Sequence, residues 1–240
     1  MDRRVILVAS GGESMDGHVN PEESTVAVYF DIDGTLLERR CEEDEIVPTA
    51  AEFGIDLRDE QVETFDQFVR QYFRRNVEDG YREAVKTFTK HLGLDVDTDA
   101  FTASLKRRKV ENTRLVDGAE GVLGEFAEST RLGIITNGEG DIQREKLATH
   151  GIDDYFEHVL ISGKRETMKP KDEMFEMAKR EWVADGYVYV ADRLGDDIIP
   201  ARGNGFATVW VSDESSPIPD LVVPTLADLS VDGVLDVVYR

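Results

Sequence analysis

In Thr25-Val-Ala-Val-Tyr-Phe30-Asp31-Ile32-Asp33-Gly34-Thr35-Leu36-Leu37, a short apolar run breaks off into two carboxylates. The run Thr25–Phe30 is β-branched and aromatic and is apolar on both faces, the composition of a strand buried within a parallel sheet. Two acids two residues apart stand where that strand ends, with Gly34 following for a tight turn and then Thr35. In open α/β sheets the ligand crevice lies at the carboxyl ends of the strands. A chain with 26 Asp residues has Asp-rich turns as a matter of course. A buried strand that runs directly into two acids is different, because those acids need a partner charge to be tolerable there.

Similar apolar runs recur at Leu132–Ile135, Val159–Ile161, Tyr187–Val190 and Ala207–Val211. Helical patterns lie between them, at about 119–128, 140–150, 171–182 and 195–204. Strands alternating with helices of this length form βαβ units. The expected fold class is therefore α/β, a Rossmann-like open parallel sheet with helices on both faces, closed by a strand at Leu221–Val223 and a helix at 231–238. The segment 38–114 interrupts the alternation, having no comparable strand. Val62, Phe65, Val69 and Phe73 share one helical face, as do Val85, Phe88 and Leu92, and Phe101–Val110 reads as a third helix. The division expected is a core of residues 25–37 and 115–240 with a helical insertion at 38–114. Residues 1–24 read as an N-terminal tail of turn and solvation signals, with Val5–Ala9 as a candidate edge strand.

Composition narrows the functional classes. The 240 residues carry 50 acids against 28 bases, a net charge of −22, which excludes a nucleic-acid backbone as a general partner. No apolar run approaches the roughly 18 residues that span a membrane. A lone cysteine, Cys41, excludes a disulfide framework and fits a reducing cytoplasm. Only 9 of the 28 bases are Lys, and none lies in 1–85 or 180–240. An acidic, lysine-poor surface suits molar salt, where the Debye length falls to about 3 Å and self-repulsion is screened, so a salt-accumulating cell is the expected habitat. The insertion 38–114, with 18 acids and 14 bases, is far closer to neutral than the rest.

Three further strand ends agree with the first. Thr136-Asn137-Gly138 offers a hydroxyl, an amide and backbone N–H groups ahead of a helix, an arrangement that suits a phosphoryl group. Lys169-Pro170 follows the third strand, and Asp192 ends the fourth, with Asp196 and Asp197 shortly after. Several carboxylates and one Lys at one sheet edge form a hard-cation site, best suited to Mg²⁺ with oxygen ligands. His18, His91, His150 and His158 show no zinc-type spacing, and neither Gly138-Glu-Gly140 nor Gly203-Asn-Gly205 continues into a dinucleotide fingerprint.

In Asp31-Ile-Asp33-Gly-Thr35, Thr136-Asn-Gly, Lys169-Pro, and Asp192 with Asp197, the chain resembles the haloacid dehalogenase superfamily over about residues 25–238. Within that superfamily it is most similar to the phosphatases with a small α-helical cap, of the phosphoglycolate-phosphatase type. One departure is Ala191 where that family usually has Gly; it removes no ligand. The resemblance implies that Asp31 is a nucleophile forming an aspartyl-phosphate, and that Asp33 is the general acid and base. It implies that Thr136 and the backbone around Asn137 hold phosphoryl oxygens, and that Lys169 orients Asp31. Mg²⁺ would be held by Asp31, the backbone carbonyl of Asp33, Asp192 and Asp197, with Asp196 the competitor of Asp197. The insertion matches the family's cap.

Carbon–halogen cleavage releases halide, which needs no proton, and the dehalogenases that the chain resembles lack an acid at the position of Asp33. The expected substrate is therefore a small-molecule phosphomonoester, and the expected protein a monomer or homodimer without membrane or nucleic-acid partners. A phosphomutase of the same superfamily and a non-catalytic Mg²⁺-binding regulator are the alternatives. Arg39, Arg40 and the run Lys106–Lys109 are candidate substrate contacts, the run reading more simply as a solvated helix face. Cys41 reads as a passive small side chain, and the cap's Phe and Tyr residues as core.

Overall fold

Every residue of β1 (Val26–Phe30) is buried, so both faces of this strand need cover. In the computed structural model, which describes residues 25–42, 44–164 and 167–239, it receives that cover from helices on both sides. The expected N-terminal tail 1–24 and its candidate strand lie outside the described residues.

The chain continues through β2 (Leu37–Arg39) into four helices: α1 (Ile46–Glu52), α2 (Asp59–Arg74), α3 (Gly80–Leu92) and α4 (Thr98–Glu111). It returns through β3 (Thr113–Leu115), α5 (Ala119–Ala127), β4 (Arg131–Thr136), α6 (Gly140–Thr149), β5 (His158–Ile161) and α7 (Asp172–Glu181). The last elements are β6 (Gly186–Ala191), α8 (Ile199–Gly203), β7 (Ala207–Val211), β8 (Leu221–Val223) and α9 (Val231–Val238). Six strands form one sheet in the order β5-β4-β1-β6-β7-β8, with every neighbouring pair parallel. The expected fold class is the observed one. From β1 the chain builds first toward β5 and then toward β8, so the switch point falls at the carboxyl ends of the central strands.

The two-residue alternation of a strand assigns each side chain to one layer. Val26, Val28 and Phe30 pack with Val122, Leu123 and Phe126 of α5 and Val234 of α9. Ala27 and Tyr29 pack on the opposite face with Met174, Phe175 and Ala178 of α7 and Ala201 of α8. Each large apolar side chain so buried contributes roughly 1.5–3 kcal/mol. Among the described residues, no helix is long and apolar enough to cross a membrane.

The helices α1–α4 close around a cluster of their own, Ile46, Phe65, Val85, Phe88, Phe101 and Leu105. Helix α4 is fixed at its start by Asp97, whose carboxylate accepts from the N–H of Asp99 and of Ala100, each at 3.0 Å. Three elements depart from the sequence expectation in this region. First, β2 and β3 pair antiparallel where the chain leaves and re-enters the core, with Leu37 opposite Leu115 and Arg39 opposite Thr113. Three-residue strands carrying charged side chains offer no apolar alternation to detect. Second, α1 is a seven-residue helix containing Pro48, too short for a helical period to show. In the core, the helix expected at 195–204 is instead a π-helical turn, Leu194–Ile198, running into the short α8.

Candidate active site

The turn after β1 is tight because the Ile32 carbonyl accepts from both the Leu36 and Leu37 N–H groups, at 3.0 and 2.9 Å. Gly34 has φ +90°, and a Cβ there would collide with the Asp192 carboxylate. Glycine is thus required for conformation and for close approach alike. The next residue exploits that approach, with Thr35 Oγ1 donating to Asp192 Oδ1 at 3.2 Å. The indole N–H of Trp210 donates to the Asp192 carbonyl at 2.8 Å and holds the end of β6 from the other side.

Asp31, Asp192 and Asp197 converge, each offering a carboxylate oxygen within 4.8 Å of the others. Asp197 reaches this cluster because of the π turn: both Asp197 and Ile198 donate their N–H to the Arg193 carbonyl, at 3.1 and 3.2 Å. The turn buries Asp197 and leaves its neighbour Asp196 exposed, 3.7 Å from Arg193 as an ion pair. Lys169 is the cation that faces the cluster, its Nζ 3.0 Å from Asp31 and 2.6 Å from Asp197. It also donates to the Tyr189 hydroxyl at 2.8 Å, which in turn donates to the Ile135 carbonyl at 2.7 Å.

One ammonium does not balance three carboxylates. Burial, followed by the neighbouring Asp31 charge, pushes the Asp197 carboxyl up to about 6. The same two causes raise Asp192. Burial works against the Lys169 charge, but Asp31 and Asp197 outweigh it and hold that ammonium firmly protonated. Asp197 Oδ2 is buried without a hydrogen-bond partner, and Asp31 Oδ1 meets Lys169 only as an ion pair. Unsatisfied buried carboxylate oxygens at this density call for another cation.

Thr136 and Asn137 end β4 beside this cluster. Both ends of the Asn137 amide engage the backbone of Lys169, donating to its carbonyl at 3.0 Å and accepting from its N–H at 2.9 Å. The Asn137 side chain therefore clamps the Lys169 loop, and both Thr136 and Asn137 line the chamber that holds the acids. Asp33 stands apart from the cluster and turns toward α6. Its Oδ1 lies 2.6 Å from Lys146 Nζ, and its Oδ2 accepts from Gln143 Nε2 at 2.9 Å.

Two chambers meet at Asp33 and Asn137. One, of about 180 Å³, is lined by Asp31, Thr136, Lys169 and Asp197. The other, of about 320 Å³, opens between α6 and the inserted helices, with Arg39, Glu45, Phe73, Tyr81, Lys109 and Lys146 in its wall. Glu45 organises that wall, pairing with Arg39 at 3.1 Å and Lys109 at 3.0 Å and accepting from Asn112 at 2.6 Å. Burial opposes its charge, but Lys109 and Asn112 prevail and hold its carboxyl below the usual range.

The run Lys106–Lys109, expected as a solvated face, is instead ion-paired throughout. Lys106 ties α4 to Asp79, Glu139 and Asp141 at 2.7, 2.6 and 3.1 Å, while Arg107 and Arg108 reach Glu52. Arg40 donates to the Thr113 carbonyl at 2.6 Å. Phe65, Phe88 and Phe101 are core as expected, whereas Phe73 and Tyr81 line the larger chamber. Exposed Cys41 exchanges hydrogen bonds with Asn112, its Sγ donating to Oδ1 and its carbonyl accepting from Nδ2.

Gln143 and Lys146 were not among the residues that the motifs single out. A signal existed: Lys146 is one of nine lysines, and it stands one helical turn after Gln143 on the helix that follows Thr136-Asn-Gly.

Comparison with known proteins places this geometry among relatives. The haloacid dehalogenase-like hydrolase family matches residues 28–211. The glyceraldehyde 3-phosphate phosphatase of Pyrococcus abyssi is 42% identical over 100 residues, 40% of this chain. The chain thus spans only 42% of that curated relative's length. The 2-haloacid dehalogenase of Pseudomonas syringae superposes with a TM-score of 0.69 at 22% identity, over 88% of this chain and 98% of that one. The HAD-hydrolase YfnB of Bacillus subtilis, solved bound to magnesium, gives a TM-score of 0.67 at 20% identity, over 85% of this chain and 95% of that one. At these identities the two structural likenesses speak to fold.

Proposed function

The chain belongs to the haloacid dehalogenase-like hydrolase family, and from that premise we propose that it is a Mg²⁺-dependent phosphatase that hydrolyses a small-molecule phosphomonoester through an aspartyl-phosphate. One observation carries this reading: Asp33 stands on the border between the acid-lined chamber and the larger one, where a leaving group would enter. Halide departs without a proton, whereas an alkoxide needs one, so an acid at that border favours phosphate esters. The similarity to a glyceraldehyde phosphate phosphatase supports the same class.

The residues fit a hard cation. Asp31, Asp192 and Asp197 bring three carboxylates together, and Asp197 leaves a buried oxygen without a hydrogen bond. Asp31, the backbone carbonyl of Asp33, Asp192 and Asp197 would hold Mg²⁺; YfnB, which shares the fold, was itself solved bound to magnesium. When bound, Mg²⁺ supplies positive charge to the phosphoryl oxygens and to the attacking carboxylate.

Asp31 attacks phosphorus in line as the phosphorus–oxygen bond to the leaving group breaks, and Asp33 gives its proton to the departing oxygen. Asp33 then takes a proton from a water that attacks the phosphorus of the aspartyl-phosphate, releasing phosphate and restoring Asp31. Lys169 holds Asp31 in place and opposes the charge that accumulates. The Thr136 hydroxyl and neighbouring N–H groups receive phosphoryl oxygens. The inserted helices act as a cap whose Arg39, Glu45 and Lys109 shape the leaving-group chamber. Asp197, buried within the acid cluster, takes the metal role, while exposed Asp196 lines the rim of the same chamber and pairs with Arg193.

Phosphate release from a panel of phosphomonoesters, in molar KCl with Mg²⁺ or with EDTA, tests the proposal. The expected result is release that requires Mg²⁺. No release from any ester by folded protein would contradict it and favour a mutase or a non-catalytic binder.

A further inference from the structure

Among the described residues, Lys146 is nearly buried and pairs with a single carboxylate, that of Asp33, at 2.6 Å. Its side chain is 9% exposed while that of Asp33 is 54% exposed. An ammonium is costly to bury, and a half-exposed partner screens much of what the pair returns. Stability alone is a poor account of this contact.

Gln143, one helical turn earlier on α6, completes the arrangement. It is 2% exposed, and its Nε2 lies 2.9 Å from Asp33 Oδ2, 3.1 Å from Thr136 Oγ1 and 3.1 Å from the Asn137 carbonyl. A single amide thus ties the Asp33 carboxylate to the hydroxyl at the end of β4. With Lys146 on Oδ1 and Gln143 on Oδ2, both oxygens of the half-exposed Asp33 carboxylate are held from α6. Helix α6 begins at Gly140, just after Thr136-Asn-Gly, so the two clamping side chains stand on the helix that continues from the loop beside the phosphoryl chamber.

We propose that Gln143 and Lys146 are positioning residues that hold the Asp33 carboxylate on the border between the two chambers, aimed at the leaving oxygen. This rests on the reading of Asp33 as the group that protonates that oxygen. An acid misplaced by about 1 Å from a reacting atom can cost on the order of a hundredfold in rate.

The test is a series of ring-substituted phenyl phosphates, from p-nitrophenyl to unsubstituted phenyl, with kcat/KM measured in Mg²⁺ for the wild type, Asp33→Asn, Lys146→Met, Lys146→Arg and Gln143→Leu. A nitrophenolate leaves without help, and phenolate needs its proton. Positioning predicts that Lys146→Met and Gln143→Leu lose on the order of a hundredfold on phenyl phosphate and only a few-fold on p-nitrophenyl phosphate, following Asp33→Asn. Lys146→Arg should recover part of the loss. Equal losses on both esters would mark a structural or direct substrate role and overturn the inference, as would no loss on either. If Asp33→Asn itself falls equally on both esters, the acid reading fails and the positioning inference with it. Selective loss in Asp33→Asn alone defeats only the inference. Gln143→Leu carries the test should Lys146→Met fail to fold.

Discussion

Removing one charge from the acid cluster should make the metal-free protein more stable and the metal-loaded protein less so. The perturbation is Asp197→Asn. Asp197 is 1% exposed, and burial with the adjacent Asp31 raises its carboxyl from 3.8 to about 6 in the folded chain. An acid whose folded-state value is raised favours folding while protonated. Its contribution is complete below the unfolded value and is lost as pH rises through about 6. At about 1.4 kcal/mol per pH unit, the wild type forfeits on the order of 3 kcal/mol across that window. Asparagine cannot ionise and forfeits nothing. Urea unfolding in EDTA should therefore find Asp197→Asn more stable than wild type at pH 8, by about 2–3 kcal/mol, with the difference shrinking toward zero near pH 4. Adding Mg²⁺ should invert the order at pH 8, because ligand binding stabilises only the chain that binds it. A variant less stable than wild type at pH 8 in EDTA would refute the electrostatic reasoning. So would an advantage that does not change with pH.

Three other outcomes follow from the packing. Gly34→Ala puts a methyl against Asp192 at φ +90° and should lower stability by about 1–3 kcal/mol in urea while raising the Mg²⁺ concentration that half-maximal phosphate release needs, which an Mg²⁺ titration of activity reads. Phe88→Ala empties the core of the inserted helices, where Phe88 is fully buried with its ring centroid 5.3 Å from that of Phe65, and should cost about 3–5 kcal/mol in urea. Lys106→Met removes the cation from Glu139 and should raise KM more than it lowers kcat, with a stability loss of about 3 kcal/mol; an unchanged KM would show that this contact does not hold the inserted helices over the chamber.

Much of the fold could be read in the chain because burial writes itself into composition. Val26–Phe30 is apolar on both faces, and it is the central strand with helices on each side. The acids at 31, 192 and 197 stood at strand ends in a doubly wound pattern, and the geometry brings them together. What escaped the sequence depends on tertiary partners. β2 and β3 exist because two chain crossings lie side by side, and each has only three residues. The family spacing already pointed to Asp197 rather than Asp196, but the π turn that buries Asp197 and leaves Asp196 exposed leaves no mark in a periodicity. That the Asn137 side chain also clamps Lys169, across 32 positions of sequence, could not be read from the Thr-Asn-Gly motif. Gln143 and Lys146 reach Asp33 across more than a hundred positions, a separation that no local pattern encodes.

Phosphorus is expected to pass through Asp31. Mixing the Mg²⁺-loaded protein with a radiolabelled phosphomonoester that it turns over, quenching in acid within milliseconds and mapping the labelled peptide tests this directly. The expected result is an acid-stable, hydroxylamine-labile label on Asp31, absent from Asp31→Asn, and longer-lived in Asp33→Ala because the second proton transfer is lost. Full turnover by Asp31→Asn, or label on another residue, would contradict it.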